Sequence, residues 1–349
     1  MPSLFLENKE FNDASSPLLI AEVGHNHQGN LQSALNLIKS AAQSGATAVK
    51  FQKRNNRTLF TKSAFQAPYV SENSFGSTYG EHREALEFGE IEYKACIEEA
   101  KKNEILFFAT AFDFASADFL AALEMPAFKI ASGDLKNIPL INYVAKFGKP
   151  LIISTGGGTY EDIDRAIKSV SALTDNFAIL QCTAGYPPKY EELNLNVIKD
   201  LRHRYPNVVI GYSGHDNGIA MSLAAYVLGA RVIEKHFTLD RTLKGTDHSF
   251  SLEPQGMKKL SRDLERVVKA LGDGVKTQYN SEIAPLQKMG KSVFYSDNFE
   301  IGKVVDLESF ALKSPGGGIP PYEMESLIGK KLSLAVVEDQ MVQLDHFLD

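Results

Sequence analysis

Val208-Val209-Ile210-Gly211-Tyr212-Ser213-Gly214-His215 and, one helix-length later, Arg231-Val232-Ile233-Glu234-Lys235-His236 share one form: a short apolar run that ends in polar residues and a histidine. Apolar runs without alternation suit strands buried on both faces, as in a parallel sheet covered by helices. The segment between them, Ile219 to Leu228, carries helical spacing. Two imidazoles at neighbouring strand ends can aim at one centre above the sheet, and neutral imidazole is the commonest protein metal ligand. The alternative at this point is two unrelated loop histidines.

The same unit recurs toward the N-terminus. Apolar runs near 18–23, 47–52, 106–111, 127–131, 150–154 and 177–182 precede the two already quoted at 208–212 and 231–237, with helical segments such as Leu31 to Ser44 between them. Eight β/α units over about 280 residues is the size of a closed (β/α)8 TIM barrel. A doubly wound open sheet is the rival α/β fold, but it usually opens on a Gly-rich turn. Here that turn reads Gly24-His25-Asn26-His27-Gln28-Gly29, which is not GxGxxG. The expected organisation is a catalytic barrel over 1–273, a polar linker over 274–285 and a small β-rich domain over 286–349. A further break, from about Thr58 to Glu87, is long for a connection and is expected to cover the barrel mouth.

Composition narrows the function classes. With 349 residues and 44% hydrophobic content, the chain can bury a large core. Its net charge of −6 gives no global positive field to hold nucleic acid, so local basic residues must bind any anionic substrate. No apolar stretch is long enough for a signal core or a membrane span. The two cysteines, Cys96 and Cys182, fit a reducing compartment, and a cytoplasmic location is expected.

Four predicted strands carry charges inside or at the end of apolar runs: Glu22, Lys50, Lys129 and Glu234. An unpaired buried charge is costly, so these residues either pair, as Lys50 could with Glu22, or serve a site. The C-terminal strand ends of a barrel form its active-site face. Ser132-Gly133-Asp134, Ser154-Thr155-Gly156-Gly157-Gly158 and Thr183-Ala184-Gly185-Tyr186 follow successive strands. Hydroxyls, exposed N–H groups at glycine turns and two lysines suit a small phosphorylated anion. Beside a metal they suggest chemistry on a phosphate ester or enol phosphate, with a carboxylate such as Glu22 moving a proton. A two-metal barrel hydrolase built on His25-x-His27, a strand lysine, His215 and His236 also matches these residues.

Seven stretches together resemble the sialic acid synthases. They are Ile20 to Gly29, Val49-Lys50-Phe51-Gln52-Lys53, Phe128 to Asp134, Ser154-Thr155-Gly156, Gln181 to Pro187, Gly211 to His215, and Glu234 to Asp240 running on to Asp247-His248. The C-terminal piece resembles the antifreeze-like (SAF) domain of that family, through Leu327-Ile328-Gly329-Lys330-Lys331. The resemblance implies condensation of phosphoenolpyruvate with a mannose-type sugar to a nine-carbon 2-keto acid, with release of phosphate. It implies that His215 and His236 hold a divalent metal, Mn2+ or Mg2+, and that Lys50, Lys129, Ser132, Ser154 and Ser213 bind phosphoenolpyruvate. Glu22 is implied as the proton-transfer carboxylate, with Tyr186, Glu234 and Asp247 around the sugar, and a domain-swapped homodimer as the assembly.

Bacterial members acting on free sugars typically carry Arg-Pro-Gly in the SAF domain, where this chain reads Lys313-Ser314-Pro315-Gly316, so that arginine contact does not carry over. They often have Asn where this chain has Ala184. The segment Pro68 to Phe88, with Lys244 to His248, looks more like the animal-type synthases, which use 6-phosphorylated sugars. The resemblance therefore implies N-acetylmannosamine 6-phosphate or mannose 6-phosphate as acceptor ahead of the unphosphorylated sugar.

Overall fold

The computed structural model describes residues 1–348. It divides into two compact units, Met1–Gly272 and a second that begins at Asp273.

The first unit opens with a hairpin of two antiparallel strands, β1 (Leu4–Leu6) and β2 (Lys9–Phe11). Eight parallel strands then close into a barrel: β3 (Leu18–Gly24), β4 (Ala48–Lys53), β5 (Leu106–Ala111), β6 (Phe128–Ile130), β7 (Leu151–Ser154), β8 (Phe177–Cys182), β9 (Val209–Gly214) and β10 (Val232–His236). Closure is made by β10 against β3, with Val232 opposite Leu18 and His236 opposite Glu22. A helix follows each strand on the outside, from Leu31–Gln43 after β3 to Pro254–Leu271 after β10. The α/β barrel expected from the repeating apolar runs is therefore the observed architecture.

Strand alternation divides each run between two cores. Leu19, Ala21 and Val23 face outward and pack with Leu37, Ile38 and Ala41 of the first helix. Leu18, Ile20, Ala48, Leu106, Phe108, Ile152, Leu180, Val209 and Val232 fill the inside of the barrel. The hairpin adds Leu4, Leu6 and Phe11 to this inner cluster and so plugs its N-terminal end. Asp13, just beyond the hairpin, is fixed by Arg202 and Arg231, each at 2.8 Å.

The same parity continues toward the other end. On six strands a polar residue stands two beyond the last inner apolar side chain: Glu22 after Ile20, Lys50 after Ala48, Thr110 after Phe108, Ser154 after Ile152, Cys182 after Leu180 and Glu234 after Val232. The barrel interior thus changes from apolar filling to a polar floor along its axis.

The segment after β4 forms three short helices, Asn56–Leu59, Lys62–Gln66 and Tyr79–Glu84. Thr78 and Glu81 cap the last of these reciprocally. Gly29 lies against this segment with φ of +70°, and a Cβ there would stand 2.1 Å from the Ala85 carbonyl oxygen, so only glycine fits.

The second unit begins with an exposed stretch and the helix Asn280–Met289, which occupies part of the segment expected as a linker. Its core is Val293, Tyr295, Val305, Leu327, Leu332, Val336 and Val342. Two strands, β11 (Ser292–Tyr295) and β12 (Phe310–Lys313), pair antiparallel. The rest is joined by isolated bridges such as Phe299 with Val336, so the β-rich expectation holds with little regular strand. Among the described residues no helix is long and apolar enough to cross a membrane.

Candidate functional site

At the C-terminal ends of the barrel strands a cavity of about 410 Å3 is lined by all eleven sequence-derived candidates: Glu22, Lys50, Lys129, Ser132, Ser154, Tyr186, Ser213, His215, Glu234, His236 and Asp247. They come from seven of the eight β/α units, and barrel closure brings them together.

The floor is an ionic cluster. Lys50 pairs with Glu22, stands 3.8 Å from Glu234 and donates to Thr110 Oγ1 at 2.8 Å. Gln52 donates to the other oxygen of Glu22 at 2.7 Å, and Ser213 donates to Glu234 at 3.1 Å. Glu22, Lys50 and Lys129 are each at most 2% exposed. Burial pushes the Glu22 carboxyl up to about 7; Lys50 opposes this and the nearby Glu234 adds to it. Burial also acts to raise Glu234, but Lys50 and Lys129 outweigh it and hold that carboxyl below its usual range. Two carboxylates around one lysine thus divide their tasks: Glu22 can carry a proton near neutrality while Glu234 stays charged.

Beside the cluster stands a hydroxyl cradle. Lys129 Nζ donates to Ser154 Oγ at 2.6 Å, and Ser132 Oγ accepts from the Gly156 N–H at 3.0 Å. A Cβ at Gly156 would lie 2.8 Å from Ser132 Oγ and 3.0 Å from the Ala184 methyl, so this approach requires glycine. Burial holds the Lys129 ammonium below its usual pKa. The Cys182 thiol, to which no function attached in the sequence, sits 3.4 Å from Ser132 Oγ at the cavity wall.

The histidine pair lies across the cavity, with ring centroids 5.3 Å apart. His215 Nδ1 is 2.9 Å from the Thr183 carbonyl oxygen, a contact that makes Nδ1 the N–H and leaves Nε2 with its lone pair. His236 Nδ1 is buried without a hydrogen-bond partner, 3.7 Å from Asp247 Oδ2, and one oxygen of Glu234 is likewise unpartnered. Tyr186 packs at a tilt against His215 with centroids 4.2 Å apart, and Phe250 meets His236 edge-on at 5.0 Å. Behind them Lys235 is buried against Asp216, whose carboxylate also accepts from Tyr212 at 2.7 Å. This contact ties the loop of His215 to the strand of His236.

For a divalent cation the donors fit an open site of few protein ligands: two imidazoles, one with its second nitrogen fixed by a carbonyl, and a carboxylate beside the other. Among the described residues no group of three or more His, Cys, Asp or Glu is placed to hold a metal ion, so the two histidines would be the protein's share of such a site. His27 does not join such a site. It stacks between Phe51 and Phe88 at 5.2 and 4.1 Å, and its Nδ1 accepts from Gly29. His25 is flanked by two arginines. The His25-x-His27 pair therefore does not supply the second metal centre that the hydrolase alternative requires.

Sequence reading missed Gln52, Thr110, Cys182, Arg54 and Arg83, all of which line the cavity. For the first three, the two-residue alternation was the available signal. Arg54 directly follows β4, and Arg83 comes from the inserted segment.

Residues 37–276 match the NeuB family. The chain belongs to the NeuB family. This NeuB-family chain is 40% identical over 325 residues to the human N-acetylneuraminate-9-phosphate synthase, covering 93% of this chain and 90% of that protein. It is 36% identical over 330 residues to the N,N'-diacetyllegionaminic acid synthase of Campylobacter jejuni, covering 93% and 98%. Among solved structures it resembles the N-acetylneuraminic acid synthetase of Leptospira borgpetersenii, crystallised with citrate, at a TM-score of 0.72 and 34% identity, covering 81% of this chain and 94% of that one.

Proposed function

We propose that the chain is a sialic acid 9-phosphate synthase: it condenses phosphoenolpyruvate with N-acetylmannosamine 6-phosphate, or mannose 6-phosphate, and releases inorganic phosphate. The observation that carries this is one cavity with two chemically distinct walls. A lysine and hydroxyl cradle suits an enol phosphate, and the histidines with Asp247 and Tyr186 suit a polar sugar. The 40% identity to a named 9-phosphate synthase over nearly the whole chain supports the same reading.

In the reaction, C3 of phosphoenolpyruvate forms a bond to the sugar aldehyde carbon, and the aldehyde oxygen takes up a proton. Water adds at C2 and loses a proton; the C2–O bond to phosphate then breaks, leaving the ketone and inorganic phosphate. Lys129, Ser132 and Ser154, with Lys50 and Ser213, bind and orient the phosphate and carboxylate. Glu22, raised to about 7, is suited to hold or give up the moving proton. Tyr186 and Asp247 border the sugar, and Glu234 keeps the floor anionic beside Lys50. His215 and His236 are the residues to hold a divalent metal, Mn2+ or Mg2+, which when bound supplies Lewis-acid polarisation of the acceptor carbonyl. A homodimer in which the C-terminal unit serves the partner's barrel belongs to the same reading, as does a reducing, cytoplasmic setting.

Phosphate release measured with phosphoenolpyruvate and N-acetylmannosamine, mannose and their 6-phosphates tests the proposal. Release is expected to require both substrates, to stop with chelator and to return with manganese. No release with any of the four sugars overturns the condensing function, and full activity after exhaustive chelation overturns the metal.

A further inference from the structure

Toward the outer rim of the cavity, both ring nitrogens of His25 face a guanidinium. Arg54 Nη1 stands 3.1 Å from Nε2, and Arg83 Nη1 stands 3.4 Å from Nδ1. Burial, followed by the charges of Arg54 and Arg83, holds His25 well below its ordinary range, so the ring is neutral. A neutral imidazole has one N–H and one acceptor, so only one of these two contacts can be a hydrogen bond. The other sets N–H against N–H.

Neither guanidinium makes an ion pair with a carboxylate, although Glu87 and Asp247 lie near enough to favour the Arg54 charge. Glu87 is engaged by Lys53 at 3.1 Å and faces His25 at 3.5 Å, while Asp247 takes the Thr246 hydroxyl at 2.9 Å and turns its other oxygen to His236. Among the described residues, no ion pair involves Arg54 or Arg83. Arg54 stacks 3.6 Å over Phe112, and Arg83 donates twice to the Tyr79 hydroxyl, at 3.0 and 2.8 Å. Burial and the like charge of Arg83 bring Arg54 down to about 10. A buried cation beside a second cation, sharing a donor conflict, is costly unless an anion joins them. Planar guanidinium groups with several fixed N–H donors suit phosphate oxygens.

We propose that Arg54 and Arg83, with His25 held between them, form the subsite for a phosphate carried by the sugar acceptor. The inference rests on the condensing function proposed above and deepens it, because the floor cradle and this rim pair are two anion sites in one cavity. An enol phosphate occupies the first. A phosphate at the far end of the acceptor occupies the second and accepts from Arg54 and Arg83. The inserted segment that supplies Arg83 is then the part of the chain that reads phosphorylation.

The test uses N-acetylmannosaminitol 6-phosphate, which lacks the aldehyde and cannot react, and its unphosphorylated counterpart. Both are titrated calorimetrically into the full-length protein and into R83Q and R83K. R83Q is expected to weaken the phosphorylated ligand by about 10- to 100-fold, the loss of one charge-assisted contact, with R83K between R83Q and the unaltered protein. The effect on the unphosphorylated ligand is expected to be no more than about threefold. Equal weakening of both ligands, no weakening of either, or no binding of the phosphorylated ligand to the unaltered protein each overturns the subsite. Turnover is not needed for this readout. Failure of the condensing function shows instead as absent phosphate release in the separate assay.

Discussion

Glu22 stands where strand alternation stops filling a core and starts building a site. Leu18 and Ile20 point into the barrel below it and are fully buried, and the next inward position receives a carboxylate held by Lys50 and Gln52. Replacing it by glutamine keeps the shape and an acceptor oxygen for one of these two contacts but removes the titratable proton. Glu22→Gln is expected to lower kcat by about 100- to 10,000-fold, the range for loss of a general acid or base. The KM for phosphoenolpyruvate should stay within about threefold, because uniform binding is not what the proton supplies. Steady-state phosphate release with an unchanged circular dichroism spectrum checks this; an activity near that of the unaltered chain removes Glu22 from proton transfer. The charged strand residues were legible because a Glu or Lys inside an apolar run has no inexpensive structural explanation. Arg54 and Arg83 were not, because an arginine just past a strand end and one in a polar insertion look like solvated surface until the fold turns them inward against Phe112 and His25.

At the scale of elements, the eight barrel strands were legible because burial on both faces forces continuous apolar runs, and the helices between them keep a separate period. The N-terminal hairpin was not. Three-residue strands carry too few side chains for a pattern, and Leu4, Leu6 and Phe11 acquire their role only from the open end of the barrel that they plug. Their contribution can be read by truncation. Leu6 is fully buried, while Phe5, its neighbour on the other face of the strand, is 50% exposed. Leu6→Ala should therefore cost about 2–4 kcal/mol through lost transfer energy and a residual cavity, whereas Phe5→Ala should change stability by no more than about 0.5 kcal/mol. Denaturant unfolding of both variants checks the difference, and equal small effects would detach the hairpin from the barrel core.

At the scale of the whole molecule, β/α periodicity is lost after Gly272, and the chain divides there into two compact units. The helix Asn280–Met289 was not legible in the sequence, because Pro285 interrupts its pattern and none of its residues is buried to mark an inward face. The two units have separate hydrophobic clusters, one formed by barrel and outer helices and the other by Val293, Tyr295, Leu327 and their neighbours. Residues 273–279 between the long helix ending at Leu271 and the one starting at Asn280 carry no regular structure and are exposed throughout. A protease needs an extended, locally released backbone, so such a segment is cut before hydrogen-bonded strands are. Limited digestion with trypsin is expected to cleave after Lys276 before any site inside the barrel strands, giving a fragment that starts at the N-terminus and ends there. Because its core does not draw on the second unit's cluster, that fragment should keep its circular dichroism and unfold in one cooperative transition. Mass spectrometry of the first products, followed by thermal unfolding of the isolated fragment, checks both halves of the claim. Early cuts within β3 to β10, or a fragment that unfolds on release, would mean that the barrel depends on the second unit for its stability.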